Sequence, residues 1–238
     1  MENKVIYITG ATRGIGLGVA KILLKEGYKV AISGRKEETV QAAIEELKTH
    51  SDQVFGVVSD VKDFESEQKA IEAIITRFDK LDVVIANAGL GIFKPVDELS
   101  IEEWKDMIDT NLNGVFYTMK ASLKALKETQ GYFISIASLA GTNFFEAGTG
   151  YNASKYGVVG FSHAAMLDLR RHGISVSTLM PGSVSSHFNG HNPSGDDHWK
   201  IQPEDVGELI SDVLKLNRRM LPSRIEIRPM RPDLKTKK

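Results

Sequence analysis

Residues 5–16 read Val5-Ile6-Tyr7-Ile8-Thr9-Gly10-Ala11-Thr12-Arg13-Gly14-Ile15-Gly16. Four consecutive β-branched or aromatic residues predict a strand buried on both faces. The glycines behind them predict a tight turn that opens a first helix. Glycine there lets the backbone approach a pyrophosphate, and the helix N-terminus offers unpaired N–H groups and a positive dipole end. The spacing Gly10-x-x-x-Gly14-x-Gly16 is not the literal G-x-G-x-x-G fingerprint, because Val19 stands where the last small residue would be. A plain tight turn with left-handed glycine is the competing reading of the same residues.

Working outward, short apolar runs alternate with longer amphipathic stretches. Strands are expected at 4–9, 29–33, 54–58, 83–86, 132–137, 175–180 and 224–228. Helices are expected at 14–25, 37–49, 64–77, 101–127, 151–171 and 203–216. This alternation predicts an α/β fold, a doubly wound seven-stranded parallel sheet with helices on both faces. No linker, repeat or second core interrupts it, so residues 1–238 are expected to form a single domain. Residues 183–200 carry Gly190, Pro193, Ser194 and Gly195 with few apolar side chains, and predict a long loop of the kind that covers a site. The polar, basic tail at 232–238 is expected to fray.

Composition narrows the function. With 42% hydrophobic residues in 238, the chain can bury a substantial core. The balance of 30 basic and 31 acidic side chains gives a net charge of -1 and no nucleic-acid footprint. The chain has no cysteine, which rules out disulfide, thiolate and zinc–cysteine chemistry and is compatible with a reducing compartment. No apolar run approaches the length of a membrane span, and the N-terminus enters a strand directly rather than a secretory signal. A cytoplasmic protein with no membrane partner is expected.

The carboxyl ends of the predicted strands carry the polar residues. The second ends Ser33-Gly34-Arg35, without the carboxylate that would accept the ribose 2′-hydroxyl of NAD. Glu37 already falls in the next helix. Arg35 and Arg13 could hold a 2′-phosphate, which makes NADP the expected cofactor and NAD the less favoured one. An ordinary solvated cation is the bland alternative for Arg35. Asp60-Val61 follows the third strand and Asn87-Ala88-Gly89 the fourth. Asp60 could accept from an adenine amino group or cap a helix, and Asn87-Ala88-Gly89 could line the ligand edge or simply turn.

The chemistry is expected at Tyr151 and Lys155, which share one helix face. A neighbouring ammonium favours a phenolate, which would make Tyr151 a general acid/base near neutral pH. Ser138 ends the fifth strand outside any nucleophile elbow, and suits hydrogen bonding to a substrate oxygen or capping a turn. Asn111 breaks the helical preference of its segment, through function or strain, or through a helix break that it caps. His187, His191 and His198 cluster with Asp196 and Asp197 without helical ligand spacing, so solvated or substrate-contacting histidines are expected and no metal. Phe144, Phe145, Phe188 and Trp199 could line an apolar pocket or pack.

With these residues, the chain resembles the short-chain dehydrogenase/reductase family, in its single-domain Rossmann-type branch, from Lys4 to about Met230. Thr9-Gly10-x-x-x-Gly14-x-Gly16 resembles its cofactor turn and Asn87-Ala88-Gly89 its strand-four motif, with Ala86 where a second asparagine is common. Asn111, Ser138, Tyr151 and Lys155 match its catalytic tetrad in order. Pro181-Gly182 matches the turn beside the nicotinamide, followed by Val184 and by Ser186 in place of threonine. Arg13 and Arg35 match the pattern of NADP-preferring members. The resemblance implies cofactor contacts from Gly10, Thr12, Arg13, Gly14, Ile15, Gly16, Arg35, Asp60, Val61, Asn87, Ala88, Gly89, Tyr151, Lys155, Pro181, Gly182, Val184 and Ser186.

It implies hydride transfer between NADPH and a small-molecule carbonyl or alcohol, Tyr151 moving the proton, Lys155 holding the ribose and Ser138 bonding the substrate oxygen. Asn111 would support a water that relays protons. It also implies a homodimer or a tetramer of such dimers, joined through the helices at 101–127 and 151–171. Two other readings compete. A non-catalytic nucleotide sensor or scaffold could share the fold but would be expected to lose part of the tetrad. A nucleotide-sugar epimerase or dehydratase would need more chain after Pro181.

Overall fold

The protein, a computed structural model, is described over residues 3–231, and the tail expected to fray at 232–238 lies outside the described residues. All seven expected strands form: β1 Val5–Ile8, β2 Lys29–Gly34, β3 Val54–Val58, β4 Val83–Ala86, β5 Tyr132–Ile136, β6 Ser175–Pro181 and β7 Arg224–Ile227. They make one sheet in the order β3-β2-β1-β4-β5-β6-β7, with every neighbouring pair parallel. The chain order therefore reverses between β1 and β4, and the crevice beyond their carboxyl ends is where such sheets bind ligands.

The continuous apolar runs arise because both faces of each central strand are covered. Ile6 and Ile8 of β1 point to one core, with Val30 and Ile32 of β2 and Val83 and Ile85 of β4. That core is closed by α1 Gly14–Lys25, α2 Glu37–Lys48 and α7 Pro203–Lys215. Val5 and Tyr7 alternate to the opposite core with Ala31 and Val84, under α3 Phe64–Phe78, α5 Gly114–Thr129 and α6 Thr149–Leu169.

The segment expected as one helix at 101–127 is helical but not uniform. It forms α4 Ile101–Ile108, a π-helical turn Asp109–Asn113, and α5. Its start is a full capping box, Ser100 with Glu103. Asn111 lies inside the π turn with helical residues on either side, so it neither ends a helix nor caps a new one. The long excursion after β6 leaves and returns at one place. Val184 bridges Ile201, Ser185 N–H donates to Ile201 O at 2.9 Å, and Ile201 N–H donates to Ser183 O at 3.1 Å. No helix among the described residues is long and apolar enough to cross a membrane.

Candidate active site

A cleft of about 1550 Å³ runs along the carboxyl edge of the sheet. Ordinary small-molecule pockets hold roughly 300–1,000 Å³, so this one has room for a dinucleotide and a second reactant. Every position expected to contact cofactor or to belong to the tetrad lines it except two, Gly16 and Asn111; of the three loop histidines, His187 and His191 line it and His198 does not. Gly16 and Asn111 lie behind the lining, Gly16 against Asn87 and Asn111 bonded to Leu90.

The β1–α1 turn is built for close approach. Gly10 and Gly14 have φ of +62° and +59°, in the left-handed region that favours glycine. A Cβ on Gly10 would sit 2.8 Å from Ala88 Cα, and one on Gly16 would sit 2.5 Å from Asn87 Nδ2. Thr9 Oγ1 accepts from the N–H groups of Asn87 and Ala88, both at 3.0 Å, and Asn87 Nδ2 donates to Thr9 O at 2.8 Å. Asn87 thus stitches the end of β4 to the glycine turn. No side chain caps α1, and Gly14 and Ile15 of its first turn line the cleft, the arrangement in which a helix N-terminus can hold a phosphate. The cleft fits a dinucleotide on these grounds.

Arg13 and Arg35 are exposed on the cleft wall, and Glu37 begins α2. Asp60 is not the cap of α3. That role belongs to Asp63, whose Oδ1 accepts from Glu65 N–H at 3.0 Å, while Asp60 Oδ1 accepts from Lys62 N–H at 3.0 Å. Asp60 is left lining the cleft, where it is the sole carboxylate among the described residues.

At the other end stand the expected reactive groups. Ser138 caps the 3-10 turn Leu139–Gly141, its Oγ accepting from Ala140 N–H at 3.1 Å, and its hydroxyl counters the shift that burial imposes on the Tyr151 phenol. The capping reading of Ser138 holds, and the residue also lines the cleft. Lys155 Nζ donates to Ile136 O at 3.0 Å and lies 5.8 Å from the Tyr151 ring centroid. Asn111 is fully buried. Its Oδ1 accepts from Leu90 N–H at 2.8 Å, and its Nδ2 donates to Leu90 O at 2.8 Å and Ser154 Oγ at 2.9 Å. It therefore locks the strand-four segment to α6.

The electrostatics differ from the expected direction. Burial pushes the Tyr151 phenol up to about 12, opposed only by the Ser138 hydroxyl, and burial pushes the Lys155 ammonium down to about 8. Both groups are removed from water, and desolvation disfavours whichever form is charged. The lysine does not by itself bring the phenol toward neutrality in the protein alone.

Three contributors escaped the sequence reading, and Thr9, quoted there only as part of the cofactor turn, has a role of its own. Thr9 holds the strand-four motif and Ser154 receives Asn111. Asn152 Nδ2 donates to Ala140 O and Asn143 O, both at 2.7 Å, fixing the segment that carries Ser138. Phe93 lines the cleft. Nothing in their own local sequence marks Ser154, Asn152 or Phe93, because each matters through a partner distant along the chain. In the 183–200 excursion, Asp197 is buried and accepts from Ser185 Oγ at 3.0 Å, while Lys200 Nζ lies 2.6 Å and His191 Nε2 2.5 Å from its carboxylate. These partners hold the Asp197 carboxyl well below the usual carboxylate range.

Comparison with known proteins bears on this geometry. The sequence profile described as short chain dehydrogenase matches residues 4–196. A Streptomyces coelicolor protein, provisionally named ketoacyl reductase, is 34% identical over 235 residues, covering 94% of this chain and 87% of that one. The alcohol dehydrogenase of the archaeon Thermococcus sibiricus, solved with 5-hydroxy-NADP, superposes with a TM-score of 0.89 at 33% identity, covering 96% of this chain and 98% of that one. A variant of the actinorhodin polyketide ketoreductase with NADPH superposes at 0.87 and 30% identity over 96% of this chain and 98% of its own.

Proposed function

This chain belongs to the short-chain dehydrogenase family and is an NAD(P)-dependent oxidoreductase, and on that premise we propose that it reduces carbonyl compounds with NADPH, Tyr151 serving as general acid. The observation that carries the reading is the meeting of Tyr151, Ser138 and Lys155 at one end of a cleft whose other end is a phosphate-ready glycine turn. When bound, the reduced nicotinamide supplies the hydride. Ser138 donates a hydrogen bond to the substrate oxygen as it gains charge, and Tyr151 gives that oxygen its proton. Lys155, buried beside the ring, favours the phenolate that remains. Asn111 holds the segment beneath Gly89 in place rather than touching the reacting atoms.

The choice of NADPH rests on Arg13 and Arg35 at the cleft wall and on the lack of a carboxylate where β2 ends. Two similar structures with NADP-type nucleotides support it. A nucleotide sensor is disfavoured, because the chain keeps all four members of the tetrad. The excursion at 183–200 is read as the substrate loop of a single domain.

The test is Tyr151→Phe. Loss of the phenolic proton should lower kcat by about 100- to 10,000-fold, with NADPH affinity nearly unchanged because the ring remains. Near-wild-type turnover would refute the assignment.

A further inference from the structure

The residues around the Tyr151 ring say more about the substrate than the reacting groups do. Three phenylalanines from three separate connections converge on that ring. Phe93 comes from the β4–α4 connection, Phe145 from the β5–α6 connection and Phe188 from the excursion after β6. The Phe93 and Phe188 rings both lie 5.4 Å from the Tyr151 ring, and Phe93 lies 5.3 Å from Phe145. Phe93 stands nearly perpendicular to two of its neighbours, at 75° to Tyr151 and 88° to Phe145. Phe188 lies against the backbone of Gly91, where an added Cβ would come within 2.4 Å of its ring.

This wall is not a closed core. Phe93 and Phe145 remain 38% and 43% exposed although both face the cleft. Apolar surface left open to water inside a cleft, beside the group that delivers a proton, is surface for the reactant. Rings set at right angles present both negative faces and positive edges, and a planar ring entering among them finds both complements. A saturated ring of the same size fills the volume but has no quadrupole to match.

Resting on the reductase reading, we infer that the preferred substrate is a ketone that carries a planar aromatic ring, the ring held among Phe93, Phe145 and Phe188 and the carbonyl oxygen at Tyr151 and Ser138. Hydride from NADPH forms the new C–H bond at the carbonyl carbon. The C=O π pair moves to oxygen, which takes the Tyr151 proton, and the products are the secondary alcohol and NADP⁺.

The experiment compares benzylacetone, its cyclohexyl counterpart and a straight-chain methyl ketone of equal carbon number, which share one reacting group. Each favourable ring pair is worth roughly two- to ten-fold, so kcat/KM should favour benzylacetone over the cyclohexyl ketone by about ten-fold. Phe93→Leu, and independently Phe188→Leu, should shrink that ratio toward one. The dissociation constants of the three ketones for the NADPH-loaded Tyr151→Phe protein should follow the same order. Equal affinity for the aryl and cyclohexyl ketones there overturns the inference whatever the turnover. A ratio unchanged in both leucine variants overturns it too. Aryl-selective binding with no reduction of any ketone by the unmodified enzyme would leave the ring site standing and overturn the reductase reading instead.

Discussion

At the scale of single residues, burial sets the chemistry of this site and sequence spacing does not report it. Tyr151, Lys155 and Ser138 are legible as polar side chains at a strand end and on one helix face, and the structure brings them to one cleft. The direction of the Tyr151 shift was not recognisable, since it depends on how completely the two groups lose water. The consequence is measurable. Lys155 keeps its proton up to about 8 when folded and to its ordinary 10.5 when unfolded, so the unfolded chain binds the extra proton in that window and stability rises with pH across it. Above 10 the sign reverses, because folded Tyr151 holds its proton to about 12 and the unfolded chain does not. Urea unfolding of the nucleotide-free protein should therefore show it gaining about 2 kcal/mol on Lys155→Met between pH 8 and 10. A difference that stays flat with pH would contradict the buried, charged lysine. Arg35 offers a second residue-scale test. Arg35→Asp should lower the NADPH-to-NADH ratio of kcat/KM by about ten-fold or more, the value of a charge-assisted hydrogen bond. An NADH preference in the unmodified enzyme would make Arg35 a bystander.

At the scale of elements, the strands and most helices were legible because period and burial agree: Ile6 and Ile8 face one core, Val5 and Tyr7 the other. The π turn at Asp109–Asn113 was not. Asn111 signals a broken local rule, but whether the chain ends there or merely widens depends on Leu90 and Ser154, which approach from elsewhere in the chain. The widened turn lets the Asn111 side chain satisfy a backbone N–H and C=O that no strand partner takes. Asn111→Leu, similar in size, should strand both Leu90 groups at about 1–3 kcal/mol each. A fall of at least 2 kcal/mol in unfolding free energy is expected by that count, and a change below about 0.5 kcal/mol, the range of an ordinary surface substitution, would show that water replaces the side chain.

At the scale of the whole molecule, an outer face of α5 and α6 remains uncovered. Phe116 is 45% and Leu167 55% exposed, with Ala153, Gly160 and Ala164 open between them. The excursion after β6 lies over the cleft and β7 extends the sheet, so neither shields this face. Two copies meeting there by a two-fold axis would bury the same patch on each. Light scattering at micromolar concentration should give at least twice the 26.2 kDa of one chain, and a monodisperse mass of one chain would refute it. The pinned excursion between Ser185 and Ile201 carries a different kind of consequence. Its two ends stay fixed to each other whatever lies between, and doubling such a loop costs only about 0.6 kcal/mol in closure entropy. The stretch between those fixed ends can thus lengthen or change at little cost to the sheet edge that carries Ser138 and to the helix that carries Tyr151, so what covers the cleft is a trait that selection can alter separately from the fold beneath it.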